Sequence, residues 1–287
     1  MRLFLVRHGE TEHNVAGLLA GVTDSRLTNH GLLQAQRLGT YLVKRRQFQF
    51  SQVFASDLQR AARTAKEICE AQTADSRENS ISPICLPLLR EQDFGSFELL
   101  PWNRSQEARQ NDPKTRDPDF RPKETAAAMK VRADSFLEDY LLPLLALDQD
   151  SEQNVAVVSH GLFLAALWRA LLLKVRPLKI TLGPDVMPTS PSKPLEYIPA
   201  WSNTGFLELL LSNQPSSQCT KAASSMPEAE SEDSSPVLGA SLKVCAVNSK
   251  DHLANLKRTR GGVGSSATDD KQKRLENFFK KPKLKPV

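Results

Sequence analysis

The stretch Leu3-Phe4-Leu5-Val6-Arg7-His8-Gly9-Glu10-Thr11, near the N-terminus, decides the fold. Four apolar residues are followed abruptly by an arginine, a histidine and a glycine. A short apolar run that ends at a turn signal predicts a buried β-strand. Arg7 and His8 would then lie where a central strand ends, which is the edge at which open α/β sheets bind their ligands.

These two side chains match the chemistry of a phosphate group. A guanidinium holds two phosphate oxygens in bidentate fashion, and an imidazole can attack phosphorus. A lone histidine near a strand end is more often structural, so the interpretation of His8 depends on partners elsewhere in the chain.

Composition limits the class of protein. The 287 residues can form one large core with tails, and 40% hydrophobic content favours a chain that folds only in part. The chain has neither a run of eighteen apolar residues nor a signal-peptide pattern at its start, so we expect a soluble protein of the nucleus or cytoplasm. The four cysteines have no metal-ligand spacing and are expected to be reduced thiols: Cys69, Cys85, Cys219 and Cys245.

The net charge of +5 is concentrated in the C-terminal tail. From Lys257 onward there are ten basic residues and three acidic residues, a net charge of +7, which leaves the rest of the chain near −2. The basic character is therefore a property of the tail. It does not support a general nucleic-acid-binding surface on the folded part.

Apolar strands alternate with helical patterns over about the first 210 residues, which predicts an α/β three-layer sandwich with a mainly parallel central sheet. We expect the main domain at 1–212 and its last strand at 239–256. The segment 213–238 is rich in Ser, Ala, Glu and Pro, and it is predicted to be a disordered insertion. Residues 257–287 are predicted to be a disordered basic tail.

The pattern also predicts individual elements. A strand at Gln52–Ala55 precedes a helix at Asp57–Ala74, with Asp57 as its N-terminal cap. Residues 101–123 are predicted to form a long surface loop or lid. The remaining predicted helices are Gly31–Arg46, Thr125–Ala146 and Gly161–Leu173, and the remaining strands are Leu3–Val6, Ile84–Leu88, Val155–Val158, Phe206–Leu211 and Leu242–Val247.

Arg60 and Glu91 are the first candidate partners of His8. Arg60 lies in the first turn of a predicted helix, and helix N-termini attract anions. Glu91 lies in a turn beside Phe94, where partial burial would favour the protonated form that can act as an acid. Each residue also has a simpler explanation, as a solvated helix arginine or a surface glutamate.

The segment Val157-Val158-Ser159-His160-Gly161 repeats the N-terminal pattern of apolar strand, histidine and glycine. Two strand-end histidines followed by glycine are hard to explain by packing alone. Asn14, close behind the first motif, could donate to a phosphate through its amide.

This combination of motifs resembles the histidine phosphatase superfamily, with its phosphoglycerate mutase-like fold, over most of residues 1–211. The resemblance implies that His8 is the nucleophile that becomes phosphohistidine. Arg7, Arg60 and His160 would complete the phosphate pocket, and Glu91 would protonate the leaving group and then activate water. Neither a metal nor another cofactor is expected, because arginines and histidines supply the positive charge. Hydrolysis is expected in preference to mutase transfer.

Smaller features narrow the resemblance. Ser202-Asn203-Thr204-Gly205 is similar to TIGAR-type, fructose-2,6-bisphosphatase-like members, and Asn14 is carried over as a phosphate contact. Ser96–Leu99 and Arg121–Glu124 depart from the family pattern in loops expected to border the pocket. The substrate is therefore left open among phosphorylated metabolites, nucleotides and phosphoproteins.

The tail contains a second motif, Gln272-Lys273-Arg274-Leu275-Glu276-Asn277-Phe278-Phe279. Its spacing resembles the peptide box that binds the DNA sliding clamp, proliferating cell nuclear antigen. One 3₁₀ turn would place Leu275, Phe278 and Phe279 on one face, with Gln272 in a small polar pocket. The alternative is a chance amphipathic segment that packs on the domain.

These motifs leave two classes of function open. The first is a metal-independent phosphatase that acts on a small phosphorylated metabolite. The second is a catalytically weak, phosphatase-like interaction protein of the replication and repair machinery. No interleaved aromatics suggest direct nucleic-acid binding, and no membrane partner is expected.

Overall fold

The computed structural model describes residues 1–73, 80–103, 113–147, 153–175, 179–184, 186, 201–213, 240–258 and 262–268. The strands in these ranges are β1 (Arg2–Arg7), β2 (Phe50–Ser56), β3 (Ile84–Leu86), β4 (Asn154–Ser159), β5 (Lys179–Leu182), β6 (Phe206–Asn213) and β7 (Ala240–Ser249). The α-helices are α1 (Glu12–Ala16), α2 (Asn29–Gly39), α3 (Gln59–Thr73), α4 (Ala126–Phe136), α5 (Leu142–Leu147) and α6 (Gly161–Val175).

These strands form one sheet in the order β3-β2-β4-β1-β6-β7-β5. β1 pairs in parallel with β4 and antiparallel with β6. β6 and β7 pair antiparallel from Phe206 opposite Ser249 to Asn213 opposite Ala240. β6 is the antiparallel member of the described sheet, so the predicted α/β fold with a mainly parallel sheet is confirmed.

Alternation along the central strands explains the two cores. Leu3 and Leu5 of β1 pack on one face with Trp168 of α6, whereas Phe4 and Val6 pack on the other face with residues of α2 and α3. Successive side chains of a strand point to opposite faces, so a strand covered on both sides is apolar at every position.

Several helix boundaries differ from the sequence prediction. The helix predicted at Gly31–Arg46 is α2, followed by a π-helical turn at Thr40–Arg45. The Asp57 cap was wrong. The backbone N–H of Gln59, the first residue of α3, donates to the Asp24 carboxylate, and Asp57 forms an ion pair with Arg90.

Other predictions fall partly or wholly outside the described residues. These include residues 104–112 of the predicted lid, residues 214–238 of the predicted insertion and the whole 272–279 motif. β6 extends to Asn213, the first residue of that predicted insertion. β5, which pairs in parallel with β7, was not predicted. Among the helices that the structure describes, none is long and apolar enough to cross a membrane.

Gly39 marks a close approach of two helices. A Cβ atom at Gly39 would lie 2.5 Å from the carbonyl oxygen of Glu67 in α3. By contrast, a Cβ atom at Gly161 would meet only the Arg7 Nε, at 3.9 Å. The α2–α3 contact therefore requires glycine at position 39, whereas α6 has room for alanine at position 161.

We predict that Gly39→Ala lowers the free energy of unfolding by about 1–3 kcal/mol, because the helices must move apart. This loss exceeds the ~1 kcal/mol that alanine contributes in a helix interior. Urea unfolding of Gly39→Ala and of the matched control Gly161→Ala measures the difference. Equal stability of the two variants would contradict the close-contact explanation.

Candidate active site

The register between β1 and β4 brings the two predicted histidines together. Arg7 lies opposite Ser159, and the backbone N–H of His8 donates to the Ser159 carbonyl oxygen at 3.0 Å. The rings of His8 and His160 follow directly, with their centroids 5.1 Å apart. Both side chains are buried. The two sequence motifs therefore form one site at the carboxyl edge of the parallel strands.

Hydrogen bonding fixes the tautomer of His8. Its Nδ1 lies 2.7 Å from the carbonyl oxygen of Gly9, which can only accept, so Nδ1 carries the proton. Burial, together with the charges of Arg60 and Arg7, holds the pKa of His8 well below 6.5, so the ring is neutral. A neutral ring with a proton on Nδ1 has its lone pair on Nε2, which makes Nε2 the nucleophilic atom.

His160 has the opposite tautomer. The Nε of Arg60 donates to the His160 Nδ1 at 3.1 Å, so this nitrogen accepts and the proton lies on Nε2. Burial and the neighbouring Arg60 charge hold the pKa of His160 well below 6.5. Its Nε2 is buried and has no hydrogen-bond partner among the described residues. An N–H in this state is a ready donor for a phosphoryl oxygen.

Arg60 forms hydrogen bonds within the protein that the sequence did not predict. Besides holding His160, it donates from Nη1 to the Thr23 carbonyl oxygen at 2.9 Å and from Nη2 to the Gly21 carbonyl oxygen at 2.6 Å. A guanidinium has five N–H donors, and two are left after these three bonds. Arg60 can therefore orient His160 and still present a positive charge to a ligand.

Arg7 lies in the same site. Its Nη1 donates to the Trp201 carbonyl oxygen, and its Nε is buried without a hydrogen-bond partner in the described part of the chain. Desolvation lowers the pKa of Arg7, and the nearby Glu91 charge opposes that effect. The unpaired Nε is a second buried donor that could reach a phosphoryl oxygen.

Glu91 is held at the start of α6. Its two carboxylate oxygens accept the backbone N–H groups of Leu162 at 3.1 Å and Phe163 at 3.0 Å. These bonds place Glu91 beside His160, the residue that precedes α6. A helix N-terminus favours a carboxylate. The structure thus positions Glu91 within electrostatic reach of Arg7 and Arg60.

Asn14 lies in α1, six residues after His8. Its Oδ1 accepts from the Thr11 backbone at 3.2 Å and from the Asn203 amide at 3.0 Å. Its Nδ2 makes no hydrogen bond within the ranges described, so the amide donor proposed for phosphate contact is not engaged by another residue there.

Two acidic residues that shape the site were not predicted from the sequence. Glu98 accepts backbone N–H groups from Val22, Thr23 and Phe94 at 2.9–3.1 Å, which fixes the loop whose carbonyls hold Arg60. Asp24 lies at the end of the same loop. The contacts of Glu98 with Val22 and Thr23, and of Asp24 with Gln59, join segments that are distant in the chain, so no local spacing signals them.

The paired histidines, with arginines and a carboxylate beside them, define an α/β phosphoryl-transfer site. A model of the histidine phosphatase superfamily (branch 1) matches residues 3–182. The probable phosphatase C1620.13 of Schizosaccharomyces pombe is 29% identical over 280 residues, covering 96% of this chain and 79% of that protein. The fructose-2,6-bisphosphatase TIGAR B of Danio rerio is 34% identical over 191 residues, covering 56% of this chain and 71% of that protein.

Solved structures share the fold. A mycobacterial protein described as Mycobacterial hydrolase 1 superposes with a TM-score of 0.59 at 21% identity, covering 86% of this chain and 98% of that one. Phosphoglycerate mutase from Bacillus anthracis superposes with a TM-score of 0.50 at 21% identity, covering 73% of this chain and 87% of that one.

The family model and the phosphatase relatives together identify the class. The chain belongs to the histidine phosphatase superfamily, and it is a phosphoric monoester hydrolase of that type.

The lowered pKa of His8 predicts the acid limb of the reaction. A histidine with a pKa below 6.5 stays neutral as the pH falls through 6.5, so the nucleophile is retained there and is lost only at lower pH. We expect the midpoint of the acid limb for enzyme phosphorylation to lie below pH 6.5. Single-turnover rates, corrected for the separately measured ionisation of the substrate, give this midpoint; a value at or above 6.5 would refute the prediction.

Proposed function

We propose that the protein hydrolyses a small phosphorylated metabolite in two steps through a phosphohistidine at His8. The observation that carries the proposal is the pair of complementary tautomers. His8 presents a lone pair on Nε2, and His160 presents an N–H on Nε2, with the two rings 5.1 Å apart. A nucleophile and a donor for the developing oxyanion are the two groups that phosphoryl transfer requires.

In the first step, the Nε2 lone pair of His8 forms a bond to phosphorus as the bond from phosphorus to the leaving oxygen breaks. N–H donors stabilise the charge on the phosphoryl oxygens: Nε2–H of His160, Nε–H of Arg7 and the remaining N–H groups of Arg60. In the substrate complex the negative charge of the phosphate favours a proton on Glu91, and Glu91 gives this proton to the leaving alkoxide and becomes a carboxylate. Asn14 adds an amide donor to the phosphate.

In the second step, the Glu91 carboxylate takes a proton from water as the water oxygen attacks phosphorus. The bond from phosphorus to His8 Nε2 breaks, the lone pair returns to nitrogen, and inorganic phosphate leaves. No metal is needed to balance these two steps, because Arg7 and Arg60 supply the positive charge and the neutral His160 ring supplies an N–H donor.

The nucleophile can be tested directly. With p-nitrophenyl phosphate, we expect His8→Ala to lower kcat/KM by at least about 10³-fold. The control His30→Ala, at the start of α2 where the neighbouring charges are Glu10 and Arg258, keeps the wild-type rate. A ³²P-labelled substrate should leave an acid-labile label on the wild type and none on His8→Ala. Equal turnover of wild type and His8→Ala would favour the alternative, a weakly active interaction protein.

The substrate class is supported by the relatives, which include a probable phosphatase and a fructose-2,6-bisphosphatase. Two loops depart from the family pattern, Ser96–Leu99 and Arg121–Glu124, and their residues would select one phosphorylated substrate over another. In the structure, Arg121 forms an ion pair with Asp93 at 2.7 Å, and Glu124 forms an ion pair with Arg132 at 2.7 Å. A screen of phosphorylated sugars, phosphoglycerates and nucleotides, ranked by kcat/KM, identifies the substrate.

We further propose that the tail recruits the enzyme to the sliding clamp, with the protein in the nucleus as well as the cytoplasm. The support is the spacing of Gln272, Leu275, Phe278 and Phe279 within a basic segment. Two adjacent aromatics that fill an apolar groove carry a large share of such a binding energy.

We predict that Phe278→Ala/Phe279→Ala weakens binding of the full-length protein to the clamp at least about tenfold. The matched control is Asn277→Ala, because residue 277 is a variable position of the motif. Calorimetric titration with purified clamp measures both. Unchanged affinity of the double variant would refute recruitment, and phosphatase activity should be equal in all three proteins.

A further inference from the structure

We infer that His252 is a positioning residue of the active site, which acts through Thr204 on the backbone that carries Arg7 and His8. This inference rests on the proposed role of His8 as nucleophile. Both Thr204 and His252 lie beyond residues 3–182, the segment matched by the family model. The inference therefore assigns an active-site role to the C-terminal part of the chain.

Thr204 closes a turn around the end of β1. Its backbone N–H lies 3.0 Å from the Arg7 carbonyl oxygen and 3.1 Å from the His8 carbonyl oxygen. The next residue, Gly205, accepts the backbone N–H of Arg7 at 3.1 Å, and the side-chain amide of Asn203 donates to the His8 carbonyl at 3.2 Å. Residues 203–205 therefore hold the backbone on both sides of the Arg7–His8 peptide.

The conformation of Thr204 needs external support. Its φ is +56°, a left-handed value that β-branched residues rarely adopt. The side chain is completely buried, so solvent provides no hydrogen bond to the hydroxyl. Contacts of this hydroxyl with the protein add to the backbone hydrogen bonds that hold the turn in place.

Proton counting gives the direction of the contact with His252. The single proton of the Thr204 hydroxyl goes to the Asn203 carbonyl oxygen at 2.7 Å. The contact of 2.9 Å between Thr204 Oγ1 and His252 Nε2 must then be a donation from the histidine. His252 is thus fixed as the tautomer with its proton on Nε2, and it clamps the turn from the side opposite β1.

The surroundings of His252 preserve this neutral state. The ring is buried on the turn Asp251–Leu253, directly after β7, and it packs against Phe206 and Tyr41 with centroid distances of 6.1 Å. Burial is the main cause that lowers the pKa of His252 to about 4; Asp251 raises it and Arg37 lowers it. Its Nδ1 is buried without a partner among the described residues.

The test compares His252→Leu with His252→Gln. Leucine fills space but donates no hydrogen bond, whereas the glutamine amide can place an N–H near the position of Nε2. We expect His252→Leu to slow phosphohistidine formation at least tenfold, with a smaller change in KM, and His252→Gln to stay within threefold of wild type. In His252→Leu, the midpoint of the acid limb of the phosphorylation rate should also move toward pH 6.5, because a loosened turn exposes His8 to solvent.

Two further variants separate positioning from general stability. Ile68→Val removes a buried methyl group from α3, which holds none of the hydrogen-bond partners of Thr204 or His252, and should leave both the phosphorylation rate and the acid limb unchanged. Thr204→Val removes the hydroxyl from the other side of the contact and should reproduce His252→Leu; the double variant Thr204→Val/His252→Leu should lose no more than either single variant.

The outcomes are distinguishable from those for the nucleophile. If His8→Ala is inactive but His252→Leu and Thr204→Val keep the wild-type phosphorylation rate and acid limb, the positioning role is refuted and the phosphatase mechanism stands. If His8→Ala retains wild-type activity, the mechanism itself fails. If His252→Leu does not fold, Thr204→Val and His252→Gln decide the question by the same two measurements.

Discussion

The parallel pairing of β1 with β4 is the constraint on which the site depends. Because Arg7 lies opposite Ser159, the residues that follow the two strands leave the sheet at the same level. His8 and His160 are far apart in the sequence, and the register alone makes them neighbours. A one-residue slip would exchange the two faces of a strand and bury different side chains in each core, so the packing that stabilises the sheet also fixes the distance between the rings.

In the proposed mechanism, two residues of the same type have opposite tasks. What distinguishes them is the atom that faces Nδ1, a backbone carbonyl at His8 and the Arg60 guanidinium at His160. Burial then keeps both rings neutral by holding each pKa well below 6.5. The division of chemistry therefore comes from neighbouring groups, and Arg60 is central to it because one guanidinium ties a helix, a loop and an imidazole together.

The sequence predicts the parts of this arrangement that depend on local pattern. Each histidine follows an apolar strand and precedes a glycine, so its place at the sheet edge is readable from a few residues. The helix cap was assigned to Asp57 because it is adjacent to α3, but Asp24 reaches the same N–H from another loop. The sequence singles out Ser202–Gly205 as a motif, but the contacts of Thr204 with Arg7, His8 and His252 join distant segments and leave no periodic or compositional signal in the chain.

The segment that connects β6 with β7 leaves and re-enters the sheet at the pole opposite His8, where Asn213 is paired with Ala240. Since the two strand ends already lie side by side, lengthening the connection between them adds closure entropy only slowly. This pole is at the N-terminal end of β1, whereas His8 and His160 lie at the opposite edge of the sheet. The connection between Asn213 and Ala240 is therefore a place where a fluorescent domain or an affinity tag can be inserted at a distance from the paired histidines.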